Sequence, residues 1–224
     1  MARPKSEEKR EEKRLQLLHA AAEVVAQRGA GAPTAAISAL AGVAEGTLFR
    51  YFPTKEALFN ELYLYIFRHL CDALHDVFDP ALDPMQPLHR RAQRQWNSYI
   101  DWGLAHPAWM RALTCLAATD ALTEATLDAK LAMFPDVALV EAGMQGELFG
   151  HLNPAYGDAM FMAIADATLE FAAREPLRAE EYKLSGFKAY ARIFLPPPVE
   201  FPTNERTAAG QVRMAMHHQM KETQ

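Results

Sequence analysis

The segment from Thr34 to Leu58, TAAISALAGVAEGTLFRYFPTKEAL, constrains this chain more than any other. Its apolar residues recur at helical spacing but are broken by Gly42-Val43-Ala44 and again by Pro53. Thr34 is expected to cap a short helix whose inward residues are Ile37, Leu40 and Ala41. Gly42 ends that helix, since a left-handed turn costs glycine nothing. A second short helix is expected from about Glu45 to Phe52, with Leu48 and Phe52 one turn apart and facing inward. Pro53 stops it, and Thr54 caps a long helix reaching about Val77. Two short helices across a tight turn form a helix-turn-helix, the unit that lays its second helix in the major groove of DNA.

With Leu48 and Phe52 inward, Thr47, Arg50 and Tyr51 fall on the opposite side at spacings of three and four. Arg50 can donate two hydrogen bonds to a guanine, while Thr47 and Tyr51 can reach phosphates or a thymine methyl. Gly46 removes bulk where backbone must approach DNA. Lys55 sits in the first turn of a helix, where a cation opposes the helix dipole by about 0.3–1 kcal/mol. A phosphate bound at that helix end reverses the sign; a solvated surface lysine is the plainer alternative.

Elsewhere the chain reads as helix throughout. A first helix is expected from about Ser6 to Arg28, with a stripe of Leu15, Leu18, Ala22 and Val25 ended by Gly29 and Gly31. Asp79–Pro87 holds three prolines and reads as a linker or sharp turn. Further helices are expected at about Leu88–Ala105, Pro107–Ala118, Thr123–Met133, Pro135–Gln145, Pro154–Arg174 and Ala179–Leu195, three of them opening on a proline. Pro196-Pro197-Pro198 closes the folded part. Residues 199–224 are expected to be a loose tail with a short helix around Ala208–Met220, its His217-His218 pair read as solvated rather than metal-binding.

The net charge of −5 argues against a nucleic-acid partner until its distribution is considered. Residues 1–60 hold 9 basic and 7 acidic side chains, whereas the remainder holds 14 and 21. Only the face that touches phosphate has to be basic, so a mildly basic head on an acidic body remains compatible with DNA. Arg3, Lys5, Lys9 and Arg10 can add phosphate contacts, although Glu7, Glu8, Glu11 and Glu12 between them equally describe a solvated helix face.

The stretch AGVAEGTLFRYFPTKEAL resembles the signature of the TetR (tetracycline-repressor-like) family of transcriptional regulators, usually AGVS-x-GTLYxYFxSKExL. The likeness covers about the first 60 residues; beyond it, only helix number, total length and the Ala105-His106-Pro107 helix start are similar. What the resemblance implies is an all-α homodimer. Residues 1–53 would form a three-helix helix-turn-helix DNA-binding domain and residues 54–195 a helical ligand-binding and dimerisation domain, with 196–224 a flexible tail. The DNA-binding positions it implies are Thr34, Glu45, Gly46, Thr47, Phe49, Arg50, Tyr51 and Lys55. The chain departs from the pattern at Ala44, which replaces a capping serine, at Phe49, which stands for tyrosine, and at Ala35, where a polar side chain is frequent. Glu45 would repel phosphate but can accept from a cytosine amino group.

Trp96, Tyr99, Trp102, Trp109, Met110, Met133, Phe134 and Phe161, together with Phe171, concentrate soft bulk in the second domain. On helices such residues serve a core as readily as a pocket wall. The resemblance favours a pocket for a small, mainly apolar or aromatic effector. Asp101 is placed either to pair with a cationic ligand or to face water. Alanines at 155, 159, 163 and 167 form a ridge that another helix can approach closely, from a partner in a homodimer or within the monomer.

No enzyme signature, metal-ligand spacing, cofactor motif, signal peptide or membrane-length apolar run occurs. Cys71 and Cys115 stand far apart and are expected to be reduced in a cytoplasmic protein. The expected function is a ligand-responsive repressor on an inverted-repeat operator, the alternative a non-enzymatic adaptor that keeps the fold without repressing.

Overall fold

The computed structural model describes residues 5–75, 87–133 and 154–196. Within them the order is α1 (Lys5–Arg28), α2 (Thr34–Leu40), α3 (Glu45–Tyr51), α4 (Lys55–His75), α5 (Leu88–Ala105), α6 (Pro107–Ala117), α7 (Glu124–Leu131), α8 (Pro154–Arg174) and α9 (Ala179–Phe194). Two 3₁₀ turns, Gly29–Gly31 and Pro176–Arg178, join neighbours, and no strand occurs among the described residues. The all-α expectation holds, with most helix ends within two residues of those anticipated. Most of the Asp79–Pro87 linker, the end of the fourth helix at Val77, the helix at Pro135–Gln145, Phe134 and the tail with His217 and His218 lie outside the described residues.

Local chemistry explains the ends. Pro53 biases the residue before it to extended backbone, so Phe52 (φ −129°, ψ 101°) leaves the helix and α3 closes at Tyr51. The Thr54 hydroxyl accepts from the Ala57 N–H at 3.1 Å, capping α4 as expected. Thr123 caps α7 in the same way through the Thr126 N–H. The expectation that Thr34 caps α2 is not met. Pro33 (φ −74°, ψ 137°) supplies the extended residue before the helix, and Thr34 is already its first helical residue.

Leu40 also departs from expectation: it is 57% exposed rather than inward. At about 100° per residue, Ile37, Ala41 and Ser38 share the inward arc of this short helix, and Leu40 lies outside it. Ser38 is buried in its place, its hydroxyl donating to the Thr34 carbonyl at 2.9 Å.

The first helix is buried more widely than its expected stripe. Leu17, Ala21 and Val24 join Leu18, Ala22 and Val25, because α2, α4 and α6 all pack against it. Along α4, Leu58, Leu62, Ile66 and Leu70 are buried and carry the same apolar cluster from the head into α5, α6 and α9. α4 and α6 therefore both pack directly on α1.

Candidate functional site

The turn between α2 and α3 is built on Gly42, whose φ of 64° is left-handed. Its N–H donates to the Ala39 carbonyl at 3.1 Å and the Val43 N–H to the Ser38 carbonyl at 3.0 Å, so the turn closes α2 while redirecting the chain. Ala44 (φ −69°, ψ 147°) then starts α3 without a side-chain cap. The second helix of the pair is locked from below by Leu48 and Phe52, both buried.

That packing turns the other side of α3 outward. Glu45, Gly46 and Arg50 are exposed, Phe49 is 40% exposed, and Thr47 and Tyr51 are half-buried. Tyr51 packs its ring against the core. Gly46 has an ordinary φ, and a Cβ there would meet nothing within 4 Å, so the fold itself does not demand glycine. Thr34 and Glu45, at the starts of the two helices, are joined by a 2.6 Å hydrogen bond. At the start of α4, Lys55 lies 5.1 Å from the centre of the Phe59 ring. A backbone N–H bond and the Thr54 hydroxyl hold the exposed Glu56 carboxyl below its usual range, so this end already receives a negative charge from its own helix.

In the body, the soft residues divide into two groups. Trp96, Tyr99 and Phe161 meet edge-on between α5 and α8, with Trp96 stacked on Tyr190 of α9 at 5.6 Å. The Trp96 indole N–H donates to the Lys183 carbonyl at 2.9 Å. Among the described residues the Tyr99 hydroxyl reaches only the Met110 and Met162 sulfurs, both at 3.6 Å, and burial pushes its pKa upward. Trp102 and Trp109 belong to the second group, with His69 and His106. Met110 is buried beside Tyr99, and Met133 is half-buried against the core beyond α7.

Asp101 does not simply face water. Its carboxylate accepts from the Lys183 ammonium at 2.7 Å, and Glu180 accepts at 2.8 Å. Burial works against the Lys183 charge, but these two partners outweigh it and raise its pKa.

Sequence reasoning passed over the histidines. His19 of α1 meets the Tyr65 hydroxyl at 2.8 Å, the Trp102 indole N–H donates to His69 Nδ1 at 3.0 Å, and His106 stacks on Trp109 at 5.3 Å. The four-residue steps Tyr65–His69 and Trp102–His106 were the available signal. They place these groups on shared helix faces, but say nothing of four helices, α1, α4, α5 and α6, converging there.

Residues 17–62 match the family model described as bacterial regulatory proteins, tetR family. The chain is also similar to solved structures. A tetR-family transcription regulator from Shewanella sp. PV-4 is 23% identical, with a TM-score of 0.65 over 80% of this chain and 95% of that one. A TetR-family regulator from Marinobacter aquaeolei VT8 is 19% identical, with 0.64 over 85% and 100%. LfrR from Mycobacterium smegmatis, a TetR-like regulator solved with proflavine, is 20% identical, with 0.56 over 83% and 99%. At such identities the likeness speaks for the fold, while the family match speaks for the segment that carries the helix-turn-helix. Residues 17–62 therefore carry the match to the tetR family of bacterial regulatory proteins, within a chain whose all-α fold is similar to that of the solved TetR-type transcription regulators.

Proposed function

We propose that the protein is a ligand-responsive repressor rather than an enzyme, a cytoplasmic homodimer that binds an inverted-repeat operator. The observation that carries this reading is α3 itself. Leu48 and Phe52 are anchored below, while Glu45, Gly46, Phe49 and Arg50 are offered above. Thr34, Thr47, Tyr51 and Lys55 complete the surface, positioning the backbone while Arg50 and Glu45 read bases. Residues 1–53 act as the DNA-binding unit and 54–195 as the effector and dimer unit.

The dimer is supported by α8. Ala159, Ala163 and Ala167 are exposed along one ridge, continued by Phe171 at 41% exposure, with Leu184 of α9 at 45%. A ridge of small side chains lets a partner helix approach closely, and two-fold symmetry then matches operator symmetry. The effector is a small, mainly apolar or aromatic molecule, held among Trp96, Tyr99, Trp102, Trp109, Met110, Met133, Phe134 and Phe161. The Tyr99 hydroxyl, which among the described residues has only sulfur partners, is its polar handle. Proflavine in LfrR is a precedent for such a ligand in this fold. Binding displaces body helices, α4 carries the displacement to the head, and the spacing of the two recognition helices no longer fits DNA. By linkage, the effector must bind the DNA-bound form more weakly.

The uncapped start of α3 at Ala44 favours a second reading, an adaptor that keeps the fold without repressing. Both are decided by titrating the full chain against its own upstream DNA across a salt series. Sequence-specific binding that weakens steeply with salt supports the repressor; no binding at low salt moves the assignment to the adaptor.

A further inference from the structure

A groove of about 260 Å³ opens where the head meets the body, lined by Gln16, His19, Ala20, Glu23, Leu40, Ala41 and Trp109. Its floor comes from α1, one rim from the end of α2, the other from α6. It is separate from the Trp96–Tyr99–Phe161 group in the body. The volume lies just below the roughly 300–1,000 Å³ of ordinary small-molecule sites, which suits one or two fused rings.

Three features define what fits. Leu40 is 57% exposed and stands on the groove, an apolar surface that its own fold leaves open to water. Trp109, half-buried across from it, is held by rings on several sides. His19 lies edge-on at 5.2 Å, Tyr65 at 5.7 Å, His69 edge-on at 5.0 Å and His106 stacked at 5.3 Å. The indole is thus a fixed aromatic wall, and ordering it costs an incoming ligand little. Glu23 is exposed, and its carboxylate makes no hydrogen bond or ion pair with the described residues.

Gln16 and His19 already have partners, His19 in the Tyr65 hydroxyl at 2.8 Å. The Gln16 amide donates to the Ala41 carbonyl at 2.9 Å and accepts from Lys13 at 2.9 Å. Gln16 therefore marks one end of the groove, with the Lys13 ammonium bonded to it from outside the lining. Glu23 marks the other, seven residues or about 10 Å further along α1. A half-buried indole, an exposed leucine and a carboxylate with no partner among the described residues together complement a flat molecule carrying a positive charge.

We propose that this groove binds a small planar organic cation, with its rings between Leu40 and Trp109 and its charge against Glu23. The ligand would touch α1 and α2 on one side and α6 on the other, bridging head and body. This site is additional to the effector site proposed above and does not depend on DNA binding.

The test is isothermal titration of the full chain, without DNA, using 1-naphthylmethylammonium, neutral 1-naphthalenemethanol and 1-naphthoate. The cation should bind one site saturably, the alcohol about tenfold more weakly, and the carboxylate not at all. Glu23→Gln should bring the cation down to the affinity of the alcohol, and Leu40→Ala should weaken both by several-fold. Both residues are exposed, and circular dichroism checks that the variants stay folded. Phe161→Ala, which removes part of the effector site proposed in the body, should keep the cation's saturable binding and its preference over the alcohol. Equal affinity for all three probes, binding indifferent to Glu23→Gln and Leu40→Ala, loss of the cation's preference with Phe161→Ala, or no saturable binding would each overturn the proposal. Because no DNA is present, none of these outcomes bears on the repressor reading.

Discussion

The Thr34 hydroxyl donates to the Glu45 carboxylate at 2.6 Å, joining the first residue of α2 to the first residue of α3. The two helices of the reading head are thereby tied at their N-terminal ends, while Gly42 sets the turn between them. Both partners are on the surface proposed to meet DNA, so the bond also orients the carboxylate. Thr34→Val should release it. The head should lose about 1 kcal/mol, as for one partly exposed hydrogen bond, and base preference at one operator position should relax. A urea midpoint and a panel of operator variants measure the two effects. If both stay as in the wild type, the bond does not organise the head.

Arg50→Ala should weaken specific DNA binding by about 1–3 kcal/mol, roughly 5- to 150-fold, with sequence preference reduced. Lys55→Ala should act differently, weakening all sequences alike and lowering the salt slope by about one. Anisotropy titrations on operator and scrambled DNA separate the two, and the same pattern for both variants would contradict the assigned roles.

Gly186 and Gly42 should respond to alanine for unlike reasons. A Cβ at Gly186 would lie 2.3 Å from Thr168 Oγ1 and 2.7 Å from Trp96, so α8 and α9 must separate, at a cost of about 1–3 kcal/mol. At Gly42 there is open space, and the cost of about 1–2 kcal/mol comes from the left-handed backbone alone. Gly42→Asn should recover much of the second loss, whereas Gly186→Asn should worsen the first. Denaturant melts of the four variants give the comparison.

Ala163→Glu places a charge on the exposed alanine ridge of α8. If that ridge is the dimer surface, sedimentation should show monomer where the wild type shows dimer, and operator affinity should drop by at least tenfold. A variant that remains dimeric moves the interface elsewhere.

His106 should make the protein acid-sensitive. Burial, and then the neighbouring His69, lower its pKa below the ordinary 6.5, so the folded state favours the neutral ring. Its contribution to stability is present above the unfolded value and is lost as pH falls through the folded one. The melting temperature should decline between about pH 7 and pH 5, and His106→Gln should flatten that decline. Parallel curves for wild type and variant would mean that another group is responsible.

Local physical chemistry made much of the head legible. Gly42, Pro53 and Thr54 act on their own backbone neighbours, and the inward pair Leu48 and Phe52 follows from helical spacing. Leu40 shows the limit. A seven-residue helix offers too few turns to say which apolar residue faces inward, and here Ser38 takes the buried place. Thr34 shows another, since a capping residue and a first helical residue look alike until Pro33 is seen in extended backbone.

By itself the sequence determined the helices, their breaks, the helix-turn-helix and the side of α3 that faces outward, because these depend on periodicity and on residues with restricted backbones. It also carried the family likeness of the head, which resides in one continuous stretch. Only the tertiary structure decided which side chains meet across distant helices. Asp101 was equally ready for ligand or water until Lys183, 82 positions away, came within 2.7 Å. The aromatic residues of the body were an undivided set until packing split them into one group on Tyr190 and another on His69 and His106. Glu23 and Leu40, 17 positions apart, became two walls of one groove only when α1 and α2 were set against α6. Periodicity gives the direction of a side chain from its own helix axis, whereas partners across space depend on how the axes cross, which is set by packing of the whole core.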